Sequence, residues 1–405
     1  MINILDGIIY WMIVLLPFGM AISNGLMNSF MGALIGFFLI KKVLKKECVF
    51  VKTSINIPLL ALFLITCFSI INSAFIKDSV RGGILRLLQY IFVIFAIIDG
   101  VKDKKHVFKI VISIAFCLLL ISIDSIWQVF IGKDFIRGNL PIINIGLVRA
   151  TASFIDANVL GIYLSAITPL FFGLTLYYFK AWKRILFCFL SLLGLVGLAL
   201  TYSRPTLLAA YIVLLFLAIA KKSKVLIIIL LLFIIIAPFI LPKSVKQWAK
   251  EMEYNPIRFM CNDDRIAIFR NAMQMIKASP VIGHGANTFN KNYINYKEKP
   301  EYRNIVTSNT IYAHNNFLHM AGEIGIVGLG LFIWLLFELF IACSGIYHRF
   351  KDSFLKTFSL SLIACLIAFL VNGLTESSLY YSRVALIFWY FIGLSLALNK
   401  LNEEK

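Results

Sequence analysis

The chain has 405 residues, of which 60% are hydrophobic and only 15% are charged. A soluble domain carries roughly a quarter charged residues, so this composition excludes an ordinary soluble protein. The net charge of +19 does not indicate nucleic-acid binding, because membrane proteins concentrate Lys and Arg in their cytoplasmic loops.

Apolar runs long enough to cross a bilayer predict an all-α polytopic membrane protein with about twelve transmembrane helices. Their centres lie near residues 14, 32, 66, 92, 119, 168, 193, 211, 233, 334, 363 and 388. If the N-terminus is cytoplasmic, the inward connections and the tail hold about 20 Lys and Arg, against about 7 in the short outward connections. The positive-inside rule therefore predicts that both termini face the cytoplasm.

The order of the runs predicts three regions. Residues 1–242 form the first nine helices, residues 243–313 form a large periplasmic loop with short helices, and residues 314–405 form the last three helices and a cytoplasmic tail. A smaller outward loop spans 132–153. The large loop holds 11 basic and 6 acidic residues, a balance that favours an anionic ligand.

Within the large loop, residues 264–278 are predicted to form a helix that ends shortly before Pro280. Apolar side chains recur along it at helical spacing, so we expect that face to pack against the membrane bundle. The residues of this face are Ile268, Ala272, Met275 and Ile276.

Several common signatures are absent. The sequence contains no P-loop, no GxGxxG after a strand, no HExxH and no EF-hand loop. The seven cysteines show neither a disulfide framework nor the spacing of metal ligands. Asp263 and Asp264 are adjacent, but a helix cap beside Arg265 is a simpler explanation for them than a metal pair. We therefore predict no cofactor and no metal.

Four arginines lie at the outer boundary or in outward loops, where the positive-inside rule disfavours them: Arg149, Arg204, Arg265 and Arg270. Arg204 stands in a short turn between two apolar runs. It is either an interfacial arginine that extends to lipid headgroups or a guanidinium fork that binds a phosphate.

His314 opens the tenth span. Histidine changes charge near neutral pH, so this residue is a candidate base, although a cap or packing role is the alternative. His319 follows five residues later and lies on another face of the helix, so we expect no shared metal. His284 and His319 are interpreted as structural.

Four segments, taken in order, resemble the O-antigen ligase and polymerase superfamily of bacterial inner membranes. His314-Asn315, nine residues, Gly325 and Gly328 resemble its His-(Asn/Ser/Gln)-x9-Gly-x-x-Gly signature. Ser203-Arg204 resembles its Ser-Arg-Gly turn, with Pro205 in place of the glycine. The other two segments are Arg265 followed by Pro280, Gly283 and Gly285, and Arg149-Ala150-Thr151 with Phe154, Asn158 and Gly161.

The resemblance, which extends over about residues 145–380, implies a metal-independent glycosyltransferase that uses an undecaprenyl-pyrophosphate-linked glycan as donor. It implies that Arg204 and Arg265 bind the pyrophosphate, with Arg149 as a third contact. His314 would take the acceptor proton, and transfer would invert the sugar. The implied supporting residues are Asn315, Gly283, Gly285, Gly325 and Gly328.

We interpret the protein as an O-antigen ligase of the Gram-negative inner membrane, with its active site on the periplasmic face. Its partners would be the lipid-linked O-antigen, the lipid A-core oligosaccharide and membrane lipids, without nucleic acid. A polymerase of the same superfamily is the nearest alternative. A transporter of lipid-linked glycans would need charges deep within the spans, where the sequence shows few, such as Asp124 and Arg86.

Overall fold

A computed structural model describes residues 1–144, 146–240, 243–251, 253, 255, 263–296 and 312–403. Helices dominate this part of the chain. In order they are α1 (Ile2–Ile22), α2 (Asn24–Lys45), α3 (Asn56–Phe68), α4 (Ile76–Gly100), α5 (Lys104–Ile131), α6 (Ala157–Tyr177), α7 (Ala181–Ala199), α8 (Arg204–Ala220), α9 (Lys224–Ile240), α10 (Lys243–Glu251), α11 (Asp263–Ala278), α12 (Phe289–Tyr293), α13 (Asn316–Arg349), α14 (Ser353–Gly373) and α15 (Ser382–Glu403).

Within the described ranges, 9 helices are long and apolar enough to cross a membrane: α1, α2, α4, α5, α6, α7, α13, α14 and α15. Helices α3, α8 and α9 are apolar but shorter. All the predicted span centres fall in one of these apolar helices. The predicted helical fold is therefore confirmed, and its long apolar helices indicate a membrane protein. The number of crossings and the division into three regions stay predictions.

A short β-hairpin accompanies the helices of this all-α fold. Strand β1 (Ile142–Asn144) pairs antiparallel with β2 (Leu147–Arg149), so that Ile142 stands opposite Arg149. The intervening Gly146 has φ of +69°, a backbone conformation that suits glycine in a tight turn. The hairpin places Arg149 at its end, directly before the loop that leads to α6.

The middle of the bundle is formed by α6, α14 and α15, whose span residues are mostly buried, whereas α7 is mostly exposed. At the start of α15, Arg383 donates hydrogen bonds to the carbonyls of Met20 and Ala21, where α1 ends. It also bonds to the Ser153 carbonyl at 2.8 Å and lies over the Phe154 ring at 3.7 Å. This buried guanidinium fixes the ends of three segments around the loop that follows Arg149.

The predicted helix of the large loop is confirmed as α11, which begins one residue earlier than expected, at Asp263. Its predicted apolar face is buried, and it packs against α13. The residues of this face are Ile268, Ala272, Met275 and Ile276. The remaining predictions for residues 256–262 and 297–311 lie outside the described residues.

Candidate functional site

A buried carboxylate joins two of the predicted site residues. Glu376 lies in the turn that follows α14, and its side chain is 1% exposed. One carboxylate oxygen accepts a hydrogen bond from Nη2 of Arg265, near the start of α11. The other lies 2.9 Å from Nδ1 of His314. The structure therefore brings His314 and Arg265 together through a residue that the sequence analysis missed.

The charge on Glu376 is stabilised by its partners. Burial raises the pKa of this carboxyl, but Arg265 and His314 more than offset that effect, so its pKa is lowered from the ordinary value. Glu376 is consequently ionised at neutral pH. A buried carboxylate without such partners would be strongly destabilising, which explains why it is found between them.

The contact with Glu376 orients the His314 ring. When Nδ1 carries the proton and donates it to the carboxylate, Nε2 retains a lone pair that can accept another proton. The His314 side chain is 27% exposed, so a molecule can reach it. This arrangement suits a general base whose tautomer is fixed by a neighbouring carboxylate.

The start of α13 fixes His314 relative to Glu376. His314 has φ of +48°, a left-handed conformation that costs on the order of 1 kcal/mol in a non-glycine residue. Asn315 follows as the N-cap, and its Oδ1 accepts hydrogen bonds from the backbone N–H groups of Phe317 and Leu318 at 2.8 and 2.9 Å. Its Nδ2 donates to the Leu374 carbonyl at 2.9 Å, which ties the cap to the turn that carries Glu376.

Asn316 holds the other side of the same turn. Its Nδ2 donates to Oγ of Ser378 at 2.8 Å, and its Oδ1 accepts from the backbone N–H of Leu379 at 3.0 Å. A Cβ on Gly373 would lie 2.5 Å from this Nδ2, so a larger residue there would disturb the contact. The first two residues after His314 thus position the carboxylate that His314 contacts.

The predicted glycines explain how the large loop is joined to α13. Gly325 interrupts α13 with φ of +74°, and the next amide, that of Ile326, donates to the Pro280 carbonyl at 2.7 Å. A Cβ on Gly325 would lie 2.0 Å from the Val281 carbonyl oxygen. Only glycine permits both this backbone conformation and this approach.

The same turn meets α13 a second time. The backbone N–H of Gly285 donates to the Glu323 carbonyl at 2.9 Å. A Cβ on Gly283 would lie 2.4 Å from the Glu323 backbone, and one on Gly328 would lie 2.4 Å from the Ile324 side chain. The predicted supporting glycines are therefore residues of close packing, which hold the segment after α11 against the kinked helix.

Arg149 lies in the electrostatic neighbourhood of this site. Its Nε donates to the Thr201 carbonyl and its Nη2 to Oδ1 of Asn158, both at 2.8 Å. Burial lowers the pKa of Arg149, the charges of Asp156 and Glu376 raise it, and Arg265 lowers it further, with a net decrease. Arg149 therefore lies close enough to Glu376 and Arg265 for their charges to act on its pKa.

Arg204 begins α8, in the turn whose Thr201 carbonyl accepts the bond from Arg149. Pro205 occupies the first turn of that helix, where a missing N–H costs nothing, so the departure from the family's glycine fits the backbone. A Cβ on Gly161 would lie 2.7 Å from Oγ1 of Thr206, so this glycine lets α6 approach the start of α8. The structure thus connects the Arg204 turn to Arg149.

A second carboxylate–histidine pair lies within α13. Nε2 of His319 is 3.3 Å from Glu323, and the ring stacks on Tyr380 with centroids 3.4 Å apart. Glu323 also accepts the backbone N–H groups of Asn287 and Phe289 at 2.7 and 2.9 Å. Both side chains of the pair are buried. The bonds of Glu323 join α13 to the residues around the start of α12.

The other candidates are placed as follows. Nε2 of His284 lies 2.9 Å from the Met275 carbonyl, a contact that joins the turn after α11 to the last part of that helix. Arg270 is exposed on α11. Among the described residues, no group of three or more His, Cys, Asp and Glu side chains is arranged to hold a metal ion.

A family model described as O-antigen ligase matches residues 189–333, which include Arg204, Arg265 and His314. This match supports the resemblance to the O-antigen ligase superfamily found from the motifs, and that family implies a glycosyltransferase-like enzyme. None of the curated proteins compared with the chain matches it.

Proposed function

We propose that the chain is an O-antigen ligase that transfers O-antigen polysaccharide from undecaprenyl pyrophosphate to the lipid A-core oligosaccharide during lipopolysaccharide biosynthesis. The observation that carries this proposal is the contact of Glu376 with both His314 and Arg265 in a bundle of membrane-length helices. The family match over residues 189–333 supports it.

In the proposed reaction, Nε2 of His314 takes the proton of an acceptor hydroxyl. Glu376 accepts the hydrogen bond from Nδ1–H and stabilises the positive charge that then develops on the ring. The acceptor oxygen attacks the donor sugar at C1 while the bond from C1 to the pyrophosphate oxygen breaks. General-base help of this kind is typically worth about 10² to 10⁴ in rate.

The leaving pyrophosphate carries away the electron pair and needs positive charge around it. Arg265 supplies one guanidinium, which Glu376 orients, and Arg149 lies in the same field. Arg204 is on the adjoining turn. Because a guanidinium presents paired donors in a fixed plane, it fits phosphate oxygens better than an ammonium group does. Direct displacement would invert the configuration at C1.

The positive-inside rule supports a periplasmic position for this site. The basic connections lie at the end of the bundle away from His314, which favours an outward position for His314 and for the arginines proposed to bind the pyrophosphate. The donor lipid would enter sideways from the bilayer, and the inner membrane of a Gram-negative bacterium supplies both substrates on that face. Both termini would then be cytoplasmic.

The test is a lipopolysaccharide gel with O-antigen blotting, run on the host strain after deletion of this gene and after its restoration. A ligase predicts bare lipid A-core together with long O-antigen retained on its lipid carrier. Core capped by a single repeat unit would instead identify a polymerase, which would use the same base on another acceptor. An unchanged pattern would contradict both assignments.

A further inference from the structure

A cavity of about 370 Å³ lies at the end of the bundle opposite the candidate site. It is bounded by the loop before α3, by Ile98 near the end of α4, and by the last turns of α13 and α15. Helix α13 starts beside His314 and reaches this cavity after 34 residues, a length of roughly 50 Å along the helix. The two sites are therefore separated by the thickness of the bundle.

Three basic residues from separate elements line this cavity: Lys52 from the loop, Arg349 from α13 and Lys400 from α15. The residues that line it include no carboxylate. The positive-inside rule accounts for many cations at this end of the bundle, but not for their convergence on one space without an acidic partner. A space of this charge fits an anion.

The cavity also offers a hydrogen-bond acceptor. Oδ1 of Asn399 is buried and has no hydrogen-bond partner among the described residues. A buried amide oxygen without a donor costs free energy, so a ligand hydroxyl would be favoured if the Asn399 side chain turns its oxygen toward the cavity. Ile98 and Leu396 add apolar lining beside these polar groups.

We propose that this cavity binds the headgroup of an anionic phospholipid that carries a hydroxyl, as phosphatidylglycerol does. The phosphate contacts Lys52, Arg349 and Lys400, the headgroup hydroxyl donates to Asn399, and the glycerol and first acyl carbons lie along the apolar lining. Basic pockets between transmembrane helices at the cytoplasmic surface are suited to such headgroups. Bound lipid would stabilise the ends of α13 and α15.

The experiment measures binding by the purified full-length protein in neutral detergent. The probes are short-chain phosphatidylglycerol, short-chain phosphatidylcholine and inorganic phosphate. We expect phosphatidylglycerol to bind and the other two to bind far more weakly. Equal binding of inorganic phosphate would overturn the lipid assignment in favour of a free-anion site, and equal binding of phosphatidylcholine would overturn the role of charge.

Two variants locate the binding. The triple variant K52Q/R349Q/K400Q should bind phosphatidylglycerol about 100-fold more weakly, because each surface cation contributes about a factor of five to anionic-lipid binding. The matched variant K105Q/K183Q/K351Q removes three exposed lysines that do not line the cavity and should bind normally. Equal losses in the two triple variants would overturn the site.

A third variant tests the space without changing its charge. Ala342→Phe places a ring at the cavity wall while all three cations remain. It should abolish phosphatidylglycerol binding, as judged from the lost increase of the thermal denaturation temperature on adding the lipid. An undiminished increase in this variant would overturn the proposal that the cavity holds the headgroup.

Discussion

The two carboxylate–histidine pairs at the start of α13 consist of the same groups in different surroundings. His314 is 27% exposed and contacts a glutamate from a distant turn, Glu376, whose other oxygen binds Arg265. His319 is 3% exposed and contacts Glu323 on its own helix, whose oxygens bind backbone N–H groups. The histidine of the first pair is therefore partly exposed, whereas both members of the second pair are buried and the carboxylate is bonded to the backbone of the surrounding segments.

The difference shows that the remaining partners of the carboxylate decide the role of the histidine. Glu376 connects its histidine to a cation that can bind a substrate anion. Glu323 instead satisfies the amides of Asn287 and Phe289 and thereby anchors the segment before α12 to α13. Residue type alone would assign the same role to both pairs.

Among variants of the groups around the two histidines, replacing Arg265 or Arg204 by lysine should have the largest effect. Lysine keeps the charge but loses the planar fork, so we expect transfer to fall by about 10²- to 10³-fold while the protein remains in the membrane. The measurement is the rate of glycan transfer by purified protein. Arg270→Lys on the same helix is the matched control, because Arg270 is exposed. A normal rate for Arg265→Lys would contradict the proposed pyrophosphate contact.

Glu376→Gln should lower the transfer rate by about 10- to 100-fold, the loss that is typical when a carboxylate that orients a metal-bound histidine is removed. The amide keeps the shape of the side chain but removes the charge that stabilises the protonated ring. Glu323→Gln is the control for the loss of a buried carboxylate. An equal fractional loss of transfer rate per folded molecule in both variants would contradict the proposed difference between the two pairs.

Glu323→Gln should act on stability instead. Hydrogen bonds to a charged group are worth about 1.5 to 3 kcal/mol, and this carboxylate accepts two from the backbone. We expect a lower thermal denaturation temperature in detergent and a nearly unchanged transfer rate for the molecules that remain folded. A large loss of transfer rate in a Glu323→Gln protein of unchanged stability would instead indicate that Glu323 takes part in catalysis.

The smallest effect is a pH dependence of stability. The pKa of Glu376 is lowered from its ordinary value of 4.5, so the folded state binds its proton less readily than the unfolded chain does. The stabilisation is fully present above pH 4.5 and is lost as the pH falls through the lower folded pKa. The difference in denaturation temperature between the wild type and Glu376→Gln should therefore shrink on acidification. A difference that increased on acidification would contradict a lowered pKa of Glu376 in the folded state.

Much of the helical layout was predictable, because hydropathy and helical spacing are local signals. All the predicted spans coincide with apolar helices, and α11 was predicted to within one residue. The motifs also identified His314 and Arg265, which the structure brings together. The hairpin ending at Arg149 was missed because each of its strands has only three residues.

Glu376 was missed because its contacts are distant in sequence and no motif marks it. A carboxylate directly after an apolar span was the signal that could have found it, since such a charge needs a partner when it is buried. The close packing of Gly283 against Glu323 depends in the same way on a contact between distant segments. The recurring glycines indicated close packing, but not which segment of the backbone they would contact.

The most direct test of the account is the transfer rate of purified His314→Ala, compared with His348→Ala at equal amounts of folded protein. His348 lies exposed at the other end of the same helix, so it controls for loss of a histidine from α13. We predict a loss of about 10²- to 10⁴-fold for His314→Ala and a normal rate for His348→Ala. A normal rate for well-folded His314→Ala would contradict the claim that this histidine is the base.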